Sequence, residues 1–400
     1  MHTQQTILVV DDTPENIELL IEILRPEYKV KAAPNGEKAL SIVAAEPRPD
    51  MVLLDIMMPG MDGYEVCQRI KADAATAGIP IIFITARTDV SAERRGFALG
   101  AVDYITKPIS PPIVLARVRA HLTLYRQQLE LRAAYQKLEL SQRRIQRDLA
   151  AAAALQRNLL PSAVPPGLPL ALAWTLIPAD ELAGDLFNFH PLGEDRLGFY
   201  LLDVSGHGIP AAMLSVHLAR LLRPGPGELA IDLGDPVAVV TQLNEGFQAD
   251  EGDPTYFTII YGVIDARNGQ GHLCQAGHPH PLVCRRDGTL ETLGDGGLPV
   301  GLIPHAQYES VAFQLEAGDR LLLYSDGVTE CFDRDQELFG AERLGALLVQ
   351  MRDASLDEVI AGIGRALTAW QSGASGTGVA FSDDLSLLAM ELGAGLGLHP

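Results

Sequence analysis

Four stretches of the second half each carry a carboxylate into a turn beside a strand-like segment. The apolar run Gly198–Leu202 ends in Asp203, followed by Val-Ser-Gly-His-Gly, which cannot continue as a strand. Arg320–Ser325 ends in Asp326-Gly327. Phe381-Ser382 leads into Asp383-Asp384 ahead of the strand-like Leu385–Met390, and Gly184-Asp185 precedes an aromatic-rich segment. A single Asp-Gly pair is an ordinary turn. Four such acids point to one site, because carboxylate and backbone oxygens are what Mg²⁺ and Mn²⁺ select.

The first half carries a second set. Asp11-Asp12, Asp55, Thr85 and Lys107 each stand at or just after the end of a strand-like run.

The elements that must position these residues follow from periodicity. Thr6–Val10, Tyr28–Ala32, Met51–Leu54 and Ile79–Ile84 read as strands. Pro14–Leu24, Gly36–Ala45, Tyr64–Ala72 and Ala92–Leu99 read as the helices between them. Such alternation predicts a doubly wound parallel sheet whose sites lie at the carboxyl ends of its strands. Pro111-Pro112 opens a further helix, and 113–160 contains neither glycine nor proline. Val118, Leu122, Tyr125 and Leu129 make one face of it. Leu124, Gln128, Leu131, Tyr135, Leu138, Gln142, Ile145, Leu149 and Ala152 keep a heptad-like spacing interrupted by its two glutamines. That pattern predicts a parallel two-stranded coiled coil over 124–152 and hence a homodimer; packing onto one domain of the same chain is the alternative. Pro161, Pro165, Pro166 and Pro169 end the helix. Later helices are expected at Met213–Leu222, Pro236–Ala249, Ala341–Met351 and Leu356–Trp370. Ser372–Gly378 reads as a mobile loop and Ala394–Pro400 as a disordered tail.

Four hundred residues at 47% hydrophobic and 20% charged suit two domains and a connector. The expected division is a domain over 1–120, a helical connector over 113–160, a domain over 161–393 and a tail over 394–400. A net charge of −20 argues against nucleic acid as a partner. The connector is the exception, with nine Arg or Lys against three acids over 113–160. It is either a solvated face or a surface that docks on an acidic domain. Four cysteines without CxxC spacing, no signal-like N-terminus and no apolar run of roughly 18 residues predict a soluble cytoplasmic protein with no membrane partner.

Two resemblances sharpen this reading. Residues 1–120 resemble the receiver domain of two-component response regulators through Asp11-Asp12, the MVLLD run ending at Asp55, Thr85 and the Lys107-Pro108 pair. The resemblance implies an α/β fold with a doubly wound five-stranded parallel sheet, and that a sensor histidine kinase phosphorylates Asp55, with Mg²⁺ held by Asp11, Asp12 and the Met57 carbonyl. Lys107 and Thr85 would meet the phosphoryl group, and Tyr104 would be the aromatic that changes rotamer. The second half resembles the phosphatase-2C superfamily of metal-dependent Ser/Thr protein phosphatases, in its bacterial stress-response and sporulation branch. The matching stretches are ELAGDLFN (181–188), LLDVSGHG (201–208), 256–283, GLPVGLIP (297–304), LLLYSDGVTE (321–330) and SDDLSLL (382–388). LQRNLLP (155–161) resembles the segment by which this branch enters its catalytic domain.

That second resemblance implies an α+β fold of two packed antiparallel sheets flanked by helices, with two or more Mn²⁺ or Mg²⁺ ions. Asp203 would bridge two of them with the Val204 carbonyl on one; Asp326 and Asp383 would hold the first, Asp185 the second. Asp384 would stand behind them. Asn188 replaces the acid usual in this branch, beside the same centre, and Ala183 replaces a glycine. His207 is either a proton donor or a structural residue of its glycine turn. The implied function is dephosphorylation of phosphoserine or phosphothreonine in a protein, an anti-sigma-factor antagonist in a partner-switching pathway, under control of Asp55. The alternative is a catalytically inactive adaptor that binds a sigma factor or its regulator through the same domain.

Overall fold

The computed structural model describes residues 4–86, 90–225, 231–248, 256–372 and 381–393, with side chains 90–93 left undescribed. It divides into two compact units, 1–142 and 143–400.

The first unit runs β1 (Thr6–Val10), α1 (Pro14–Leu24), β2 (Lys29–Ala33), α2 (Gly36–Ala44), β3 (Met51–Asp55), α3 (Gly63–Ala72), β4 (Ile81–Thr85), α4 (Val90–Ala98) and β5 (Asp103–Thr106). Its strands form one parallel sheet in the order β2-β1-β3-β4-β5, with β1 flanked by β2 and β3. Both faces are covered, which is why β3 and β4 are buried along their whole length and run apolar without alternation up to their last residues, Asp55 and Thr85. Helix starts are chemically marked: Asn35 accepts the Lys38 amide at 2.9 Å and Asp62 the Glu65 amide at 2.8 Å. The expected elements differ from these by one or two residues at their ends.

The long helix α5 (Pro111–Arg157) is unbroken for 47 residues. Val114, Val118 and Leu122 bury against the first sheet in the core with Leu20, Leu24 and Ile105. The expected packing face ends near Tyr125: Leu129 is 47% exposed, because one more helical turn carries it past the edge of the core. Leu124, Leu131, Tyr135, Leu138 and Ile145 are exposed, as are Gln128 and Gln142. From Leu149 onward the helix is covered again, with Leu149, Ala152 and Ala153 against Leu182 and Ala212.

The second unit continues with β6 (Leu170–Ile177), β7 (Leu186–Pro191), β8 (Arg196–Val204), α6 (Ile209–Leu221), α7 (Pro236–Gly246), β9 (Phe257–Asp265), β10 (Gln270–Ala276), β11 (Leu282–Cys284), β12 (Leu290–Thr292), β13 (Ser310–Gln314), β14 (Arg320–Tyr324), α8 (Asp326–Thr329), α9 (Gly340–Gln350), α10 (Leu356–Ser372) and β15 (Leu385–Leu392). Two antiparallel sheets result, β13-β10-β9-β8-β7 and β12-β11-β14-β15-β6. Alternation sorts their side chains. Phe187, Phe199, Leu201, Ile260, Leu321, Leu323, Leu388 and Met390 fill the space between the sheets. The intervening residues of the first sheet pack under α6 and α7, and those of the second under α9 and α10. Residues 373–378 of the expected loop, and the expected tail over 394–400, lie outside the described residues.

Candidate functional site

In the first unit, the carboxyl ends of β1 and β3 bring Asp11, Asp12 and Asp55 together. One oxygen from each lies within 4.8 Å of the others, the only such trio of His, Cys or acidic residues among the described residues. Asp11 and Asp55 are buried and Asp12 is exposed. Lys107, which follows β5 and precedes a cis peptide bond to Pro108, reaches Asp11 Oδ2 and Asp55 Oδ2, each at 2.9 Å. Burial raises the Asp55 pKa, the Lys107 hydrogen bond opposes this, and the Asp11 charge adds to it. Thr85 is buried at the end of β4. Asp55 Oδ1 lies 3.4 Å from the Met57 amide, and the Met57 side chain is exposed. Tyr104 is half-buried, edge-on to Phe97 and under the Arg117 guanidinium. This pocket can accept a divalent cation beside a phosphorylatable carboxylate, with an ammonium already in place.

In the second unit the space between the sheets turns polar at one end. Continuing the alternation that places Phe199 and Leu201 inside puts Asp203 on the same face. The same count puts Asp185 ahead of Phe187, Thr258 ahead of Ile260, Ser325 after Leu323 and Ser386 ahead of Leu388. Because β7–β8 and β14–β15 are antiparallel, the start of one strand meets the end of the other. Leu186 pairs with Leu202 and Tyr324 with Leu387, so each sheet presents its acids together. Asp326 opens α8, and Asp383 lies exposed before β15. Gly327 permits this: a Cβ there would meet the Asp384 carbonyl at 2.2 Å.

The electrostatics of this end are one-sided. Burial, then the Asp326 and Asp383 charges, push Asp203 up to about 7. Burial, then Asp383, take Asp326 to about 6. Burial, then Asp203, raise Asp185 well above the carboxylate range, and its Oδ2 is buried without a hydrogen-bond partner. No Arg or Lys figures among the influences on these acids. Buried carboxylates with an oxygen to spare and no basic partner fit hard divalent cations, which supply the missing positive charge. These acids are more spread out than the first unit's trio, as ligands shared between two ions ~3.5–4 Å apart would be.

Asp384 has a different place. Its Oδ1 accepts the Ala179 amide at 2.8 Å, and its Oδ2 accepts those of Gly184 at 2.7 Å and Asp185 at 3.3 Å. It anchors the loop that delivers Asp185. Asn188 departs from expectation. It sits on the opposite face of β7 from Asp185, donating to the Leu159 carbonyl at 2.6 Å, because three residues along a strand reverse the side. Val204 is buried, its carbonyl 3.2 Å from where a Cβ on Gly184 would lie. His207 is exposed in its turn, with Nδ1 3.6 Å from Asp180 Oδ2.

Sequence reasoning missed Gln156. Buried on α5, it donates through Nε2 to the Ala183 carbonyl at 2.6 Å and accepts the Ala183 amide at 3.1 Å through Oε1. Nε2 also lies 3.2 Å from Ser215 Oγ. The available signal was spacing, since Gln156 continues the 4-3 register of Leu149 and Ala152. Thr258, Ser325 and Ser386 were missed too; each is a polar residue where alternation calls for an inward apolar one.

Comparison with known proteins follows the division of the chain. The family described as Stage II sporulation protein E (SpoIIE) matches residues 193–393, and the response regulator receiver domain matches 7–119. A probable cyclic di-GMP phosphodiesterase of Vibrio cholerae is 49% identical over 120 residues, covering 30% of this chain and 27% of that protein. The DNA-binding response regulator MtrA of Mycolicibacterium smegmatis is 46% identical over 120 residues, covering 30% and 51%. The chain thus spans between about a quarter and a half of these curated relatives. The SiaA-PP2C domain of Pseudomonas aeruginosa aligns with a TM-score of 0.54 at 19% identity, covering 63% of this chain and 98% of that one, a likeness of fold.

Proposed function

Because this chain belongs to the Stage II sporulation protein E (SpoIIE) family and carries a receiver domain at 7–119, we propose that it is a response regulator whose output is metal-dependent hydrolysis of phosphoserine or phosphothreonine in a protein. The observation that carries this is the uncompensated set of the buried Asp185 and the half-buried Asp203 and Asp326, with the exposed Asp383 beside them, where the sandwich turns polar. Asp203, with the Val204 carbonyl, would serve both of two Mn²⁺ or Mg²⁺ ions, Asp326 and Asp383 would hold the first, and Asp185 would hold the second. When bound, such ions polarise a phosphoryl group and bring water to a reactive state at neutral pH. Asp384 fixes the Asp185 loop through three backbone amides. Gln156 clamps Ala183 in that same loop, so α5 ends on the segment that delivers a ligand.

In the receiver, Asp55 takes the phosphoryl group from a sensor histidine kinase. Asp11, Asp12 and the Met57 carbonyl hold Mg²⁺, Lys107 and Thr85 meet the new charge, and Tyr104 turns inward. Helix α5 takes part in the first core at Val118 and Leu122 and in the second at Ala153 and Gln156, which supports control of the phosphatase by Asp55. The exposed seam over 124–145 supports pairing of two copies. The substrate proposed is an anti-sigma-factor antagonist, by family resemblance, and the setting is cytoplasmic; among the described residues no helix is long and apolar enough to cross a membrane.

The test is release of phosphate from a phosphoserine-bearing antagonist by the full chain, with Mn²⁺ or EDTA, and with or without an acyl phosphate that charges Asp55. Mn²⁺-dependent release that changes with the acyl phosphate is the expected result. No release under any condition, with stable binding of the partner, would establish the adaptor instead.

A further inference from the structure

One buried histidine lies beside this centre without belonging to it. His278, in the turn after β10, has Nδ1 2.7 Å from Thr258 Oγ1, while its Nε2 is buried without a hydrogen-bond partner. The Tyr324 backbone lies against the ring. Burial drives the imidazole pKa down to about 3, so the ring is neutral. Its backbone is held on both sides. Gly277 has φ 72°, and a Cβ there would come within 2.6 Å of Pro299. The Gln275 side-chain amide donates to the His278 carbonyl at 2.6 Å, and its oxygen accepts the Gly296 amide at 2.9 Å. The ring therefore stands where the turn places it.

Its two neighbours are the informative part. Thr258 is the cross-strand partner of Asp203, so the two side chains share the inward face. Tyr324 ends β14 two residues before Asp326. One ring thus touches a strand of each sheet, each time close to a proposed metal ligand. An aliphatic side chain would fill this space without the cost of burying two ring nitrogens, which asks for a reason the imidazole is there.

We propose that His278 is a positioning residue for the metal centre, a strut that fixes the spacing between β9, whose Thr258 pairs with Asp203, and β14, which leads into Asp326. This rests on the metal-centre reading above. Apart from the Asp384 bonds to the Gly184 and Asp185 amides, the sheets meet here mainly through aliphatic and aromatic side chains, which set a distance loosely. A planar ring bonded to Thr258 on one side and backed by the Tyr324 peptide on the other sets it tightly, where a shift of a few tenths of an ångström changes whether both acids reach the same ion.

The experiment is Mn²⁺ titration of the full chain, free Mn²⁺ being read by its paramagnetic resonance signal. An Asp12→Asn background removes a receiver ligand, so that the second unit is reported. His278→Leu should weaken Mn²⁺ binding about ten- to a hundredfold, as loss of a group supporting a ligand does. Thr258→Val, which removes only the hydroxyl, should move it the same way by less, and His278→Gln should fall between His278→Leu and the parent. Phosphate release at saturating Mn²⁺ should fall less than Mn²⁺ affinity does, since the ligands themselves remain. A structural role alone would lower the melting temperature of the variants and leave Mn²⁺ affinity unchanged; that result overturns the proposal. If His278→Leu does not fold, Thr258→Val decides. A parent that binds no Mn²⁺ in its second unit overturns the metal-centre reading itself.

Discussion

In the proposed function the chemistry of the second unit turns on Asp203, because it lies among Asp185, Asp326 and Asp383. Asp203→Asn should abolish phosphate release at any Mn²⁺ concentration while leaving the circular dichroism spectrum unchanged; turnover above a few per cent of the parent would remove the two-ion assignment. The same residue governs a pH dependence. Its folded pKa of about 7, and that of Asp326 near 6, stand above the unfolded value of 3.8. An acid raised on folding favours the fold fully below its unfolded pKa, and that contribution is lost as pH rises through the folded value. Metal-stripped protein should therefore melt higher at pH 5 than at pH 8, by an amount on the order of a few kcal/mol in stability. Mn²⁺ should close the gap at pH 8, and Asp203→Asn should flatten it in EDTA. Equal slopes in parent and variant would show that this carboxylate is not the origin. These acids were legible in the sequence because each follows or precedes a strand-like run at a glycine- or serine-marked turn. Thr258 and His278 were not, since what matters about them is a cross-strand register that no local pattern contains. Asn188 was misplaced for the converse reason: a motif position was read without counting which side of the strand it occupies.

At the scale of the element, α5 is the informative case. Its length was legible from the absence of glycine and proline over 113–160, while its use was not. The 4-3 register of Leu124, Leu131, Leu138 and Ile145 is exposed, yet Leu149, Ala152 and Gln156 in the same register are covered by the second unit. A polar residue in the seam looked like an imperfection at Gln128 and Gln142; at Gln156 it pairs with both backbone groups of Ala183. If two copies pair, they do so upstream of Leu149 and diverge there. Leu138→Asp with Ile145→Asp should then convert a dimer to a monomer in light scattering at micromolar concentration, because each buries a charge in an apolar seam. A parent that is monomeric under those conditions refutes the pairing.

At the scale of the molecule, the question is what Asp55 does to a centre in another unit. Phosphorylation adds about −2 charge beside Asp11, and Lys107 is already within 2.9 Å of Asp55. Repacking of β5 and the start of α5 reaches Gln156 only if the helix between them stays rigid. Two glycines inserted after Ala150 should therefore leave one constant rate of phosphate release, with or without acyl phosphate. A response that survives the insertion makes the helix a tether. A phosphoryl group can bias the two states only by its differential affinity, so the uncharged protein should keep measurable activity.

The polar end of the sandwich also bears on descent. Asp185, Asp203 and Asp326 lie beyond the Phe and Leu layers that hold the sheets together, and their charges oppose folding when no cation is bound. Replacing any of them with a neutral residue removes a cost and spares the layers. A lineage released from selection on hydrolysis would lose these acids readily, since drift and stability push the same way, and what remained would be a well-folded binding module. Their presence together in this chain therefore favours the proposed hydrolysis over the adaptor reading.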